Sequence, residues 1–328
     1  MKKVLLLWYT VNNNFGDVLI YETVKAVLEE SGLKTGYLDV GQPCREVFKE
    51  ANQYDFLLFA GGGIIERYIP NVIRYFKEDF TELDVPYGII GLSIGKFDYS
   101  EYREQIRFWI ERAEFFYTRD GHTASYLNQL CSTDKVQEGV DVVWANRWIC
   151  NHKNLQQEFI GINVRDVPYT DIQNDMNWKK LREMVKLLGI NCTIPDESEK
   201  SELVKLIENE EKTVYSVETA LEQIWKCKII IAMRYHVVLV AAANGIPVLP
   251  IAYCPKVVEL AKQIGLQNDM VSVDEIDELE LKFYALQEHA EQERERLKIC
   301  CADMRKKAEL ILKNISKIIN DTKGIKNV

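Results

Sequence analysis

Short apolar segments alternate with longer amphipathic stretches along most of the chain, and this alternation constrains the fold more than any other feature. Buried parallel strands carry continuous apolar runs, whereas the helices that cover them carry apolar residues at intervals of three or four. Repetition of this order predicts an α/β fold in which helices cover both faces of a parallel sheet. A chain of 328 residues is too long for one ordinary core, so we expect two doubly wound, Rossmann-like domains that face each other across a cleft.

The predicted elements fall into two series. The first series has strands at 3–9, 35–39, 55–59, 86–91 and 115–118, with helices near 17–31, 65–80, 100–113 and 120–130. The second has strands at 159–164, 190–194, 212–216, 228–232 and 247–252, with helices near 177–188, 198–209, 217–226, 236–244 and 256–264. The periodicity lapses over 141–158, which predicts a domain boundary there. The predicted parts are an N-terminal Rossmann-like domain at 1–150, a C-terminal one at 151–275, and a tail at 276–328 that forms one long amphipathic helix from about 275 to 320.

Charge and cysteine content limit the class of protein. A formal net charge of −9 argues against nucleic acid as the main partner, because phosphate backbones require a basic face. A small anion is still compatible, because charges beyond about 10 Å are screened in cellular salt and a few convergent cations are enough to bind it. The eight cysteines form no CxxC pair, which favours reduced thiols over a disulfide or metal framework. No apolar run approaches the ~20 residues of a membrane span, so we expect a cytoplasmic protein without a transmembrane segment.

Two polar or glycine-rich stretches follow strands of the first series, where ligands of such sheets bind. In Asn14-Phe15-Gly16-Asp17 the Asn and Asp side chains are typical helix caps, and Asp17 is alternatively a base or acceptor for a substrate hydroxyl. Gly61-Gly62-Gly63 allows a ligand to approach the backbone closely. It matches neither GxGxxG nor a phosphate-binding loop, so it indicates no nucleotide.

Two further motifs occur in the first half. Gly91-Leu92-Ser93-Ile94-Gly95 matches the GxSxG elbow of serine hydrolases, but the next helix is predicted several residues later and only His236 suggests itself as a partner. A hydrolase is therefore disfavoured. Arg119-Asp120 precedes a helix, where the aspartate is expected to be the N-cap.

The second half places cationic or titratable side chains after three separate strands. Arg165 follows one strand, Arg234 and His236 follow another, and Tyr253 and Lys256 follow a third. Each alone is typical of a surface or a cap, but together they would repel one another unless an anion lay between them. If residues 234–236 stay extended, Arg234 and His236 point the same way and Tyr235 points inward. Arginine binds carboxylate or phosphate through two hydrogen bonds, and histidine donates a proton near neutral pH.

The ordered set of motifs resembles the polysaccharide pyruvyl transferase family over about residues 4 to 265. The matching stretches are Asn14–Asp17, Gly61–Gly63, Gly91–Gly95, Arg119-Asp120, Gly161–Arg165, Arg234–His236, Ala241 to Pro247 and Tyr253–Lys256. Lys96, where the family often has proline, and Val142, which follows Asp141, depart from the pattern. The resemblance implies a GT-B-like fold and transfer of the pyruvyl group of phosphoenolpyruvate onto two hydroxyls of one sugar as a cyclic ketal.

The resemblance also implies that Arg165, Arg234 and His236 hold phosphoenolpyruvate. On this basis His236 is predicted as general acid or phosphate ligand, Lys256 and Tyr253 as further donor-binding residues, and Asp17 as the base from the facing domain. Residues predicted to approach the acceptor or the ligand backbone are Asn14, Gly16, Asp17, Gly61, Gly62, Gly63 and Ser93. No metal or cofactor is expected, because arginines can neutralise the leaving phosphate.

The acceptor is expected to be a sugar or a lipid-linked or polymeric glycan of exopolysaccharide or cell-wall biosynthesis, which is compatible with peripheral contact with membrane-bound intermediates. Loops at 41–52 and 165–177 are predicted to shape its pocket. Two alternatives stay open: a GT-B glycosyltransferase that uses a nucleotide-sugar, and a non-catalytic binder of acidic sugars. The sequence does not indicate the oligomeric state.

Overall fold

The computed structural model describes residues 1–8, 14–39, 42–62, 82–95, 98–150, 156–164, 181, 183–195 and 215–322. The chain forms two compact units. The first comprises Met1–Val11, Asp17–Asn146 and Met304–Val328, and the second comprises Asn12–Gly16 and Arg147–Asp303. Each unit contains one parallel sheet with alternating helices, as the sequence predicts. The domain boundaries predicted at residues 150 and 275 stay a prediction.

The sheet of the first unit has the strand order β2-β1-β3-β4-β5-β6. Its strands are β1 Lys3–Trp8, β2 Lys34–Asp39, β3 Phe56–Gly62, β4 Tyr87–Leu92, β5 Phe116–Thr118 and β6 Val136–Glu138. Every residue of β3 and β4 is buried, which is typical of central parallel strands covered on both faces. After β1, the chain adds β2 on one side of it and the later strands on the other side, so the strand order reverses between β1 and β3. Ligands of doubly wound sheets bind beyond the carboxyl ends of the strands at such a reversal point.

The described helices of the first unit pack on this sheet. They are α1 Phe15–Glu30, α2 Cys44–Ala51, α3 Arg103–Arg112 and α4 Gly121–Cys131, with short 3-10 turns at Ser100–Tyr102 and Val142–Ala145. Asp120 is the N-cap of α4, as predicted, and its carboxylate accepts the Thr123 N–H at 2.7 Å. The prediction of a loop over 41–52 was wrong, because Val47, Phe48 and Ala51 have helical spacing and are buried in the core.

The sheet of the second unit has the order β11-β10-β9-β7-β8. Its strands are β7 Phe159–Asn163, β8 Cys192–Thr193, β9 Cys227–Ala232, β10 Val248–Ala252 and β11 Val271–Ser272. Helices that follow or precede these strands are α5 Val217–Lys226, α6 Tyr235–Ala243, α7 Pro255–Gln263, α8 Leu279–Glu288 and α9 Ala290–Asp321. The predicted helices near 65–80 and 198–209, and most of the predicted strand at 212–216, lie outside the described residues.

The predicted long C-terminal helix is present as α9, but the prediction of one helix from 275 was wrong, because α8 ends at Glu288 and α9 begins at Ala290. Residues of α9 up to Asp303 belong to the second unit, and those from Met304 onward belong to the first. Leu312, Ile315 and Ile319 of α9 are buried. None of the helices in the described part of the chain has the length and hydropathy that a bilayer crossing requires.

Candidate active site

The carboxyl ends of β7 and β9 form the point in the second sheet where the direction of chain progression reverses. β8 lies on the other side of β7, and β10 lies on the other side of β9. Ligands of doubly wound sheets bind beyond the strand ends at such a point, where the loops separate. Arg234 and His236 follow β9 directly. The sequence placed them at a strand end, and the structure adds that this end is the reversal point.

Asn163, the last residue of β7, fixes the path of the chain as it leaves β9. Its side chain is fully buried. The side-chain oxygen accepts the backbone N–H of Arg234 at 3.0 Å, and the side-chain nitrogen donates to the carbonyl of Ile194 at 3.0 Å. Its own carbonyl accepts the N–H of Met233 at 2.9 Å. Asn163 therefore connects the segments that follow three neighbouring strands.

Sequence reasoning missed Asn163. Its signal was a single amide side chain at the end of the otherwise apolar segment FIGIN. A buried amide must be hydrogen-bonded, so a lone polar residue at the end of a buried strand indicates a structural bond to a neighbouring segment.

The backbone at Arg234 changes from strand to helix. Arg234 is the N-cap of α6, with φ −77° and ψ 130°, and its carbonyl accepts the N–H groups of Val237 and Val238 at 3.1 Å each. The sequence predicts that Arg234 and His236 point the same way if residues 234–236 are extended. These residues are not extended, because α6 begins at Tyr235. Tyr235 is buried, as expected, whereas Arg234 and His236 are half-buried. Both lie at the N-terminal end of an apolar helix, where the helix dipole favours a negative charge.

The imidazole of His236 lies against Gly16 and the ring of Tyr235. A β-carbon placed on Gly16 would be 1.7 Å from Nδ1 of His236, 2.4 Å from Cε1 and 2.5 Å from Cγ. The Tyr235 ring stands edge-on to the imidazole, with centroids 5.0 Å apart at 75°. Gly16 donates its N–H to the side-chain oxygen of Asn14 at 3.1 Å, and both residues belong to the second unit. Asn14, Gly16 and His236 are thus brought together.

Tyr253 and Lys256 follow β10, the strand beside β9. Tyr253 is half-buried and packs on the core of the second unit. Lys256 is the second residue of α7, whose first residue is Pro255 and whose N-cap is Cys254. Because β9 and β10 are parallel neighbours, α6 and α7 begin at the same edge of the sheet. The predicted Arg165 and the loop at 165–177 lie outside the described residues.

Asp17, Gly61 and Gly62, which the sequence predicts as site residues, lie at the reversal point of the first unit's sheet. Asp17 is in the first turn of α1, and a β-carbon placed on Gly62 would be 3.4 Å from its Oδ1. Gly61 and Gly62 have φ values of +60° and +88°, a region that favours glycine. A β-carbon on Gly61 would be 3.4 Å from the Gly91 carbonyl. The structure therefore brings Asp17 to the bare backbone that ends β3; Gly63 lies outside the described residues.

Ser93 belongs to a buried polar cluster with Arg119 and Asp141. The Ser93 hydroxyl accepts a hydrogen bond from the Arg119 guanidinium at 2.5 Å, and Arg119 Nη1 is 3.5 Å from Asp141 Oδ2. The other carboxylate oxygen of Asp141 accepts the Val143 N–H at 2.9 Å. Ser93 is only 1% exposed, which does not fit the exposed nucleophile of a hydrolase elbow. The sequence predicted a cap at Asp120 but did not show that Arg119 pairs with Asp141.

Within the described residues, no group of three or more His, Cys, Asp or Glu side chains is arranged to hold a metal ion. Arg234, His236 and Lys256 are among the described residues at the edge of the second sheet. Such a set binds carboxylate or phosphate oxygens through charge-assisted hydrogen bonds.

A family model described as polysaccharide pyruvyl transferase matches residues 14–255, which is more than half of the chain. The chain belongs to the polysaccharide pyruvyl transferase family. The family is one of transferases, so the coarse class of activity follows from membership. The match begins at Asn14 and includes Asn163, Arg234 and His236, and it ends one residue before Lys256.

The fold is shared with GT-B glycosyltransferases and with sugar-nucleotide epimerases. MnaA of S. aureus, in a co-structure with UDP, has a TM-score of 0.64 at 14% identity, with 98% of this chain and 97% of that chain covered. UDP-GlcNAc 2-epimerase from Neisseria meningitidis, bound to UDP-GlcNAc, has a TM-score of 0.58 at 12% identity, with coverage of 96% and 100%. An alpha-glucosyltransferase in complex with UDP and a 13-mer DNA has a TM-score of 0.52 at 10% identity, with coverage of 98% and 100%. These likenesses show the fold alone. A search of curated proteins found no match.

Proposed function

We propose that this protein transfers the pyruvyl group of phosphoenolpyruvate onto two hydroxyls of a sugar or polysaccharide precursor, with formation of a cyclic ketal and release of phosphate. Family membership supports this reaction type. The observation that carries the proposal is the placement of Arg234 and His236 at the N-terminal end of α6, where β9 ends at the reversal point of its sheet. This is where a small dianionic donor would be bound.

The donor side of the proposal rests on charge. Phosphoenolpyruvate carries a carboxylate and a phosphate on three carbons, so cations and helix N-termini supply most of its binding energy. Arg234 is proposed to grip one anionic group through two hydrogen bonds. Lys256, in the first turn of α7, and Tyr253 are proposed to contact the other. Arg165 is proposed as a second guanidinium on the strength of the family resemblance.

The reaction needs an acid, a base and a stabilised leaving group. His236 is proposed to protonate the methylene carbon of the donor, which leaves an oxocarbenium-like centre at the neighbouring carbon. The first sugar hydroxyl adds to that centre and gives its proton to a base, for which Asp17 is the candidate. The bond from this carbon to the phosphate oxygen then breaks, and phosphate departs with its electron pair, neutralised by Lys256. The second hydroxyl adds to the same carbon, its proton leaves with phosphate, and the ring closes.

The acceptor side is proposed from the first sheet. Asp17, Gly61 and Gly62 lie together where β1 and β3 end, and their backbone and carboxylate are proposed to hydrogen-bond the sugar. The proposed acceptor is a polymeric glycan or its lipid-linked precursor, because the family is one of polysaccharide pyruvyl transferases. We place the reaction in the cytoplasm, where phosphoenolpyruvate is available to an enzyme of this kind.

The test is donor-dependent phosphate release. The purified protein is incubated with phosphoenolpyruvate and a panel of sugars and glycan precursors, and inorganic phosphate and the ketal methyl signal in proton NMR are both followed. Acceptor-dependent phosphate with an equal amount of ketal supports the proposal. UDP-sugars form the parallel arm, because solved structures of similar fold hold UDP. Nucleotide release in that arm, with no phosphate release from phosphoenolpyruvate, would establish the glycosyltransferase alternative instead. Binding of acidic sugars without turnover in either arm would establish the non-catalytic alternative.

A further inference from the structure

Gly16 leaves the space that the imidazole of His236 occupies. Three imidazole atoms lie within 2.5 Å of the position of a β-carbon on Gly16, and the nearest, Nδ1, lies at 1.7 Å. Real β-carbons are not found so close to other heavy atoms, so no residue with a side chain fits here while the ring keeps its place. Gly16 itself is buried and helical, so a positive φ does not explain the glycine. The reason for glycine at this position is therefore the ring.

The imidazole has a second neighbour. The Tyr235 ring stands edge-on to it at 5.0 Å between centroids. Gly16 is in turn held by the hydrogen bond from its N–H to the side chain of Asn14. The ring thus contacts the backbone at Gly16 and a buried aromatic side chain, and the first of these contacts comes from a segment about 220 residues earlier in the sequence.

We propose that Gly16 is a positioning residue for His236: its bare α-carbon sets where the imidazole lies when it acts on the donor. The assignment moves Gly16 from the acceptor loops, where the motif pattern places it, to the donor site. The role of Gly16 in catalysis rests on the proposed function, whereas the contact between Gly16 and the His236 imidazole is independent of it. The three atoms nearest to a methyl group at position 16 all belong to the imidazole, which can rotate about its side-chain torsions, so the ring is expected to shift while the fold is kept.

Gly36 provides a matched control. It lies on β2, and a β-carbon there would be 2.2 Å from the hydroxyl oxygen of Tyr54 and 2.8 Å from its ring carbons. Gly36→Ala and Gly16→Ala therefore make the same chemical change and displace the same kind of group, an aromatic side chain. Only Gly16→Ala displaces His236.

The first measurement is structural and independent of activity. The chain has four histidines, so their imidazole Cε1–H signals can be assigned by comparison with His236→Ala. Gly16→Ala is expected to move the His236 signal, and Gly36→Ala is expected to leave it in place. An unmoved His236 signal in folded Gly16→Ala overturns the proposal. If Gly16→Ala fails to fold, the double variant Gly16→Ala/His236→Ala is expected to fold, because the clashing ring is gone; failure of the double variant as well also overturns it.

The second measurement is kinetic. Gly16→Ala is expected to lower kcat for pyruvyl transfer by about tenfold or more, since a positioned acid contributes about 10²–10⁴ in rate. In the His236→Ala background the same change is expected to alter kcat by less than about twofold, because no imidazole remains to misplace. Equal losses in both backgrounds overturn the positioning role. A shifted signal in a protein that has no pyruvyl transfer activity even as wild type refutes the proposed function and leaves the Gly16–His236 contact established.

Discussion

The side chain of Asn163 accepts the backbone N–H of Arg234 at 3.0 Å, and this bond ties the N-cap residue of α6 to the neighbouring strand β7. The same amide donates to the Ile194 carbonyl, so one fully buried side chain satisfies polar groups on two other segments. At the reversal point of a parallel sheet the segments that follow neighbouring strands separate, so their backbone groups have no partner on the next strand. A side chain that can donate and accept hydrogen bonds then satisfies them.

Replacement of Asn163 by Leu is therefore expected to lower the free energy of unfolding by about 2–5 kcal/mol, since each buried group left without its bond costs about 1–3 kcal/mol. Denaturant unfolding measures the loss. Asn191→Leu is the control, because Asn191 accepts the Ile160 N–H at 2.9 Å in an exposed setting. Equal losses in the two variants would show that the Asn163 bonds have no special weight.

Arg119 and Asp141 form a buried ion pair in the first unit. Both side chains are almost fully buried, and the Arg119 guanidinium also donates a hydrogen bond to the Ser93 hydroxyl. Removal of one partner leaves a buried charge, so Arg119→Met and Asp141→Leu are each expected to cost about 3–5 kcal/mol in unfolding free energy. The double variant is expected to be more stable than either single variant. Additive losses in the double-mutant cycle would contradict this coupling.

Central strands were predictable because their composition alone identifies them. The observed bounds of β1, β3, β4 and β9 lie within a few residues of the predicted ones. A short continuous apolar run in an α/β chain indicates a buried parallel strand. β6 and β11 were not predicted, because their sequences VQE and VS contain one apolar residue each and give no apolar run. α2 was missed because its apolar positions are spread over only eight residues next to a proline and a glycine.

The placement of Arg234 and His236 at a strand end was predictable, because one local segment specifies it. Arg234 and His236 stand out because charged residues follow an apolar strand. The contact between Gly16 and His236 joins segments that the sequence keeps far apart, so no local pattern contains it. The same holds for Arg119 and Asp141, whose pairing depends on the loops that follow different strands. Asn163 was hidden within an apolar run, although its amide is the chemical exception there.

Arg234 is predicted to contribute mainly to donor binding. Arg234→Ala is expected to weaken phosphoenolpyruvate binding by about 10- to 100-fold, because hydrogen bonds to charged groups contribute about 1.5–3 kcal/mol. Arg234→Lys keeps the charge but loses the planar fork, so it is expected to recover only part of the affinity. Calorimetric titration with phosphoenolpyruvate measures both. Arg107→Ala, which breaks an exposed pair with Glu111 on α3, is the control and is expected to bind normally. Unchanged binding by Arg234→Ala would remove this residue from the donor site.

Gly62 and Gly32 test whether the carboxylate of Asp17 matters to catalysis. Their φ values of +88° and +79° are similar, so alanine introduces a similar backbone strain at both, of about 1–3 kcal/mol in unfolding free energy. A β-carbon at position 32 meets nothing within 4 Å, whereas one at position 62 reaches the Asp17 carboxylate at 3.4 Å. Gly62→Ala is therefore expected to lower kcat for pyruvyl transfer several-fold more than Gly32→Ala, although both lose similar stability. Steady-state kinetics below the unfolding transition separate the two effects. Equal kcat values would contradict this expectation, because a methyl group in contact with the Asp17 carboxylate would then have no effect on turnover.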